Sequence, residues 1–264
     1  MDLSTVRFGT GSHSVSLAPT GGRDLCIMEA VAYMAGEPWS DSPACASPVV
    51  SAFLRSWNDA LSDGDRDRLL PAAVWVPRLV GSRGDDATEE RRAYLALDWL
   101  IRVHTPAWLD LVPALAPYAA ALRALPEIVD MTAAGRAGDT VRAAWDVARA
   151  VAWAAAGTAA RDVAWDAAGT AAGAAAGDAA WDAAGAAAAR AVAGDAAWDV
   201  AWDAAGTAAG AAAGAAAARA VAGDAAWAVA GATLRPTVET LQHSALDLLD
   251  RMLACGEHRR KEEE

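Results

Sequence analysis

Apolar residues recur at steps of three and four along most of this chain, a periodicity that belongs to helices with one buried face, so an all-α fold is predicted. Ile27, Met28, Val31 and Met34 mark a helix from its N-cap Asp24 to Ala35, with Gly36 as its stop. Ser47-Pro48 opens the next (SPVVSAFLRSWNDAL), with serine at the N-cap and proline at the first helical position, and the polar turn Ser62-Asp63-Gly64 closes it. From Asp65 to Val80 the helical pattern must be kinked or divided by Pro71 and Pro77. The cleanest pattern of this half runs from Ala87 to His104, where Asp86 and Glu89 make a start like a capping box. Pro106, Pro113, Pro117 and Pro126 then divide the chain into short helices. Residues 1–23 differ: Val6, Phe8, Val15 and Leu17 alternate among Gly, Ser and Thr, which predicts a loop or small hairpin laid over helices.

From Asp139 to Ala232 the pattern changes to a beat of four. Trp145, Arg149, Trp153, Gly157, Arg161, Trp165, Gly169, Gly173, Gly177, Trp181 and Gly185 keep it without exception. It slips by one and resumes at Gly194, Trp198, Trp202, Gly206, Gly210 and Gly214, then slips again to Gly223, Trp227 and Gly231. Alanine fills the space between, and no proline interrupts, so the segment reads as helical. A step of four on a helix of about 3.6 residues per turn rotates the stripe by about 40° each time. One straight rod of about 140 Å would wind the Trp/Gly stripe around itself, whereas short helices keep it on one face. Breaks are expected where Gly precedes a capping Asp or Thr, the first at Gly138-Asp139 and others at Gly157-Thr158, Gly177-Asp178, Gly194-Asp195, Gly206-Thr207 and Gly223-Asp224. GAAAARAVAGDAAW occurs at Gly185–Trp198 and again at Gly214–Trp227, as stacked helical repeats would require. Trp145, Trp153, Trp165, Trp181, Trp198, Trp202 and Trp227 would fill the gaps between such helices, because alanine and glycine bury little area. The alternative is a set of longer helices.

After the repeat, Pro236 is expected to start a helix with one apolar face built from Val238, Leu241, Ala245, Leu248 and Met252, ended by Gly256. That face can pack on its own chain or pair two copies as a homodimer. The organisation predicted is therefore a loop or hairpin at 1–23, a compact helical domain at 24–138, the helical repeat at 139–232, an amphipathic helix at 236–255 and a solvated tail at 256–264.

Charge narrows the function classes. The chain has 264 residues and a net charge of −12, and Lys261 is its single lysine, so no surface is available to neutralise phosphates and direct nucleic-acid binding is not expected. The alanine stretch carries Asp and Arg too often to cross a bilayer, no signal-peptide pattern opens the chain, and three widely spaced cysteines do not make a secreted disulfide framework. A cytoplasmic protein with no membrane partner and with reduced thiols is expected.

Side chains able to do chemistry crowd the first part of the chain: His13, Cys26, Glu29, Glu37, Asp41 and Cys45. His13, Cys26, Asp41 and Cys45 are the candidate metal set, with zinc as the cofactor they would hold, although no C-x₂-C pair is present. Buried apolar thiols are the alternative, and a reactive Cys26 near a helix start is a third reading. No phosphate-binding glycine loop, nucleophile elbow or HExxH motif occurs, and no catalytic or cofactor-binding residue is assigned.

The run CIMEAVAYMAGEPWSDSPACASPVVSAFLRSWND, continued by RLVGSRG and RRAYLALDWLIRVHTPAWLDL, resembles a functionally uncharacterised protein family of actinobacteria and their phages and prophages. The likeness extends from residue 13 to about residue 130 and includes the closing PTVETLQHSALDLLDRM. Members often carry a histidine in the SDxP segment, where this chain has Ser42. The alanine-rich part is similar to alanine-rich immunity proteins of bacterial toxin systems. Neither resemblance supplies a catalytic residue. Together with the acidic charge they imply a non-enzymatic, protein-binding role in a phage, prophage or host-conflict setting. The alternatives are an enzyme using Cys26 or zinc, and an acidic mimic of nucleic acid displaying Asp146, Asp166, Asp182, Asp199 and Asp203.

Overall fold

A computed structural model describes residues 2–13, 23, 25–155 and 224–263. Among these residues every regular element is helical. The helices are α1 (Ile27–Ala35), α2 (Pro48–Ala60), α3 (Asp63–Leu69), α4 (Ala72–Leu79), α5 (Asp86–Trp99), α6 (Thr105–Leu109), α7 (Ala116–Arg123), α8 (Met131–Ala155) and α9 (Asp224–Glu263). A π-helical turn, Leu100–His104, joins α5 to α6, and a 3-10 turn, Pro113–Leu115, precedes α7.

The helices enclose two cores that share α5. In the first, α1, α2 and α4 pack with the arm residues Val6 and Phe8, and α5 contributes Ala93 and Ala96. In the second, Leu97, Leu100 and Ile101 face Leu109, Leu115, Leu122 and a small-residue stripe on α8: Ala133, Ala137, Val141, Ala144 and Ala148. Trp99 touches both cores. The C-terminal helix closes the first core with Ala245, Leu248, Leu249, Met252 and Leu253, so this part of its apolar face packs on its own chain.

Most start signals act as the sequence implies. Ser47 Oγ accepts from Val50 N ahead of Pro48, and Gly36 ends α1 at φ +69°, the left-handed conformation for which glycine pays no steric cost. Ser62 caps α3 directly, so the expected turn at 62–64 is instead a helix start. Pro77 sits inside α4, while Pro71 separates α3 from α4. The cap of α5 is Asp85, bonded to Thr88 N, and Glu89 is diverted to a buried network.

Four expected helix boundaries fall within continuous helix. Pro106 has no N–H to give and its ring crowds the carbonyl of residue 102, yet the chain stays helical because it widens to π spacing, Thr105 N–H reaching Leu100 O. Gly138-Asp139 lies inside α8, which runs unbroken from Met131 past Trp145 and Trp153, because the alanine stripe on its buried face is worth more than the glycine's entropy. The helix break placed there is therefore corrected. Pro236 likewise lies within α9, and so does Gly256, so the helix expected to span 236–255 begins earlier and carries its backbone through the tail to Glu263. Trp227 is on α9; Trp165, Trp181, Trp198, Trp202 and the remaining breaks up to Gly206-Thr207 lie outside the described residues. No described helix is long and apolar enough to cross a membrane.

Candidate functional site at the N-terminal arm

The chemistry-bearing residues converge where the arm crosses the start of α1. Asp24 lies outside the described residues, and the N-cap is Cys26, whose extended backbone (φ −84°, ψ 170°) leads into the helix. Its thiol faces the Glu29 amide, and Glu29 reaches back so that Oε2 accepts from Cys26 N at 2.7 Å. The same carboxylate takes two further donors from the arm: His13 N on Oε1 at 2.6 Å and His13 Nδ1 on Oε2 at 2.9 Å. Trp39 Nε1 completes the latch by donating to His13 O at 2.7 Å.

Cys26 is almost fully buried, and that burial, helped by the carboxylates of Glu29 and Asp41, pushes its thiol up to about 12 against the opposing pull of the Glu29 and Met28 amides. It is a protonated thiol at neutral pH. Cys45 belongs to a different loop, in which Glu37 accepts from both Ala44 N (2.6 Å) and Cys45 N (2.7 Å). Its thiol is also pushed up, by burial first and by the Glu37 carboxyl. Asp41 lies 3.9 Å from Arg55 Nη1. So the predicted metal set is only partly gathered: His13 and Cys26 meet through Glu29, Asp41 is close enough to influence Cys26, and Cys45 is held at Glu37. Among the described residues no three His, Cys, Asp or Glu side chains form a metal-ligand group.

Sequence spacing gave no sign of the residues that seat the arm from below. Arg66, 1% exposed, donates to Asn58 O, Leu61 O, Asp63 and the arm's Phe8 O. Arg23 donates to the same Phe8 carbonyl at 2.8 Å and pairs with Asp67 through two bonds. These partners are up to 58 positions apart, and only the tertiary fold unites them.

A second unpredicted feature sits at the π turn. The His104 ring lies between Trp99 (5.1 Å between centroids) and Trp108 (6.2 Å), and its Nε2 accepts from Trp108 Nε1 at 3.2 Å. Nδ1 then carries the proton, and it is buried without a partner among the described residues. Burial lowers the pKa of His104 to about 4 from 6.5. The unfolded chain therefore takes up a proton between about pH 6.5 and pH 4 that the folded chain refuses, so stability falls with pH across that window. Roughly 3 kcal/mol is lost by pH 4. Urea titrations from pH 7 to pH 4 on the native chain and on His104→Gln check this: the variant should lose that part of the slope, and an unchanged slope would assign it to carboxylates.

Compared with known proteins, the chain matches no protein-family model, no curated protein and no solved structure.

Proposed function

We propose that the protein is a non-enzymatic interaction protein of a phage, prophage or host-conflict setting, in which a compact helical body presents the Ala/Gly/Trp segment to a protein partner. The observation that carries this reading is the way α8 and α9 leave the body. Both are anchored in its cores, through Val141, Ala144 and Ala148 on α8 and through Ala245, Leu248, Leu249, Met252 and Leu253 on α9, and both extend into the segment of tetrad sequence. Anchoring both ends of one segment on rigid helices suits display. The engagement of the reactive groups adds support: the Cys26 thiol is held near 12, and Glu29 already accepts three hydrogen bonds. Display of acidic side chains to a protein, rather than capture of nucleic acid, also fits the net charge of −12.

The test is affinity capture from the native host or its phage with two baits, the full chain and a chain in which a short flexible linker replaces residues 156–223. A partner retained by the first and lost by the second is the expected result. Equal recovery on both baits sinks the display role of the segment.

A further inference from the structure

The arm is held in the manner of a bound peptide. Extended segments usually add to a sheet edge, but here the arm crosses helices, and its main chain is read by side chains of the body. Phe8 O accepts from Arg66 Nη1 and Gly9 O from Asn58 Nδ2 at 2.8 Å. Gly11 N donates to Asp59 Oδ1 at 2.8 Å, His13 N to Glu29, and Trp39 Nε1 to His13 O. Asn58, Arg66 and Glu29 are all buried, so emptying the seat would strand several polar groups at once.

Side-chain requirements are few and specific. Val6 and Phe8 point into the first core while Arg7 between them is exposed. Gly9 passes so close to the chain at Arg23 that an added Cβ would lie 2.3 Å from the Arg23 carbonyl oxygen and 3.0 Å from His13 Nε2. A backbone oxygen at that distance cannot step aside as a flexible side chain can. The resident arm also leaves one atom unmet: Asn58 Oδ1, on the amide that holds Gly9, is buried without a partner among the described residues.

We propose that residues 6–13 are a tethered peptide ligand, and that the surface beneath them is a peptide-binding site for an extended segment of a partner protein bearing an aromatic residue, a glycine directly after it and a histidine four positions on. The cis arm is the resident competitor. Covalent attachment makes its docking intramolecular, so the native chain disfavours the same peptide offered in trans. A partner segment that also donates to Asn58 Oδ1 has one hydrogen bond more than the arm. The site uses body residues and none of the segment 156–223, so it stands or falls separately from the display role.

The experiment uses the full chain carrying Gly9→Ala and a labelled synthetic peptide of residues 2–13. The variant should bind the peptide saturably, with a change in tryptophan emission from Trp39, while the native chain binds it weaker by about tenfold or more. A peptide that itself carries Gly9→Ala should fail to bind either chain. No uptake by the variant, or equal uptake of both peptides, overturns the proposal. Should Gly9→Ala not fold, the native chain with a protease site inserted within residues 14–22 is cut and offered the labelled peptide. Exchange of the cut arm for the label supports the site, and retention of the arm without exchange overturns it.

Discussion

Replacing Arg92 by alanine should cost the protein about 3–5 kcal/mol and loosen its C-terminal helix. Arg92 is fully buried, and its guanidinium donates to Met252 O at 2.8 Å, to Ser82 O at 2.9 Å and to Glu89 Oε1 at 2.6 Å. Glu89 is buried too and accepts from Gly84 N and Ser47 Oγ. One ion pair therefore joins the start of α2, the loop before α5, α5 itself and α9. Truncating Arg92 leaves a buried carboxylate with only neutral donors, and the penalty of that uncompensated charge exceeds anything lost in packing. Arg92→Met combined with Glu89→Gln should recover part of the loss, since no charge then remains buried. Chemical denaturation of the single variants and the pair measures both effects. Losses that simply add would show that the pair is not coupled.

That network also shows where sequence reasoning stops. Local signals were readable: Ser47 ahead of Pro48, Gly36 at its left-handed stop, and the three-and-four spacing of Leu241, Ala245, Leu248 and Met252 all act as their chemistry requires. Glu89 was read as half of a capping box because its spacing from Asp86 suits one, but its carboxylate is drawn away by Arg92 and Ser47, of which Ser47 lies 42 positions off. Pro106 and Gly138 were read as breaks, and Pro236 as a helix start, by the same local logic. Pro106 and Gly138 are buried in helices that tertiary packing carries through, whereas Pro236 is exposed on α9. At the candidate site the residue types were visible, and His13, Cys26 and Glu29 do meet. Their roles were not visible: whether a cysteine beside a helix start is a thiolate or a buried cap depends on what covers it, and here the cover is an arm placed by Arg66 and Asn58.

Trp99→Ala should be comparably costly, about 3–5 kcal/mol, and should also uncouple the two cores. Its indole meets the edge of Phe53 at 6.0 Å and 88° on one side and the His104 ring at 5.1 Å on the other, and its Nε1 donates to Ser244 Oγ on α9 at 3.0 Å. Phe53 continues to Trp57 at 5.7 Å, and His104 continues to Trp108, so five rings run in a row from the first core to α6, with Trp99, which also packs on the second core, at its middle. The backbone link through α5 remains in the variant, but the packed link between the cores does not. Hydrogen exchange isolates this from any behaviour of residues 156–223: amides of Val50 and Leu122, one in each core, should open with the same free energy in the native chain and with different free energies in Trp99→Ala. Trp99→Phe separates packing from hydrogen bonding, since it keeps a ring between Phe53 and His104 and forfeits only the Ser244 bond. It should cost about 1 kcal/mol and leave the two amides coupled. Were Val50 and Leu122 still to open together in Trp99→Ala, the helix α5 alone would suffice to make one cooperative body of two cores.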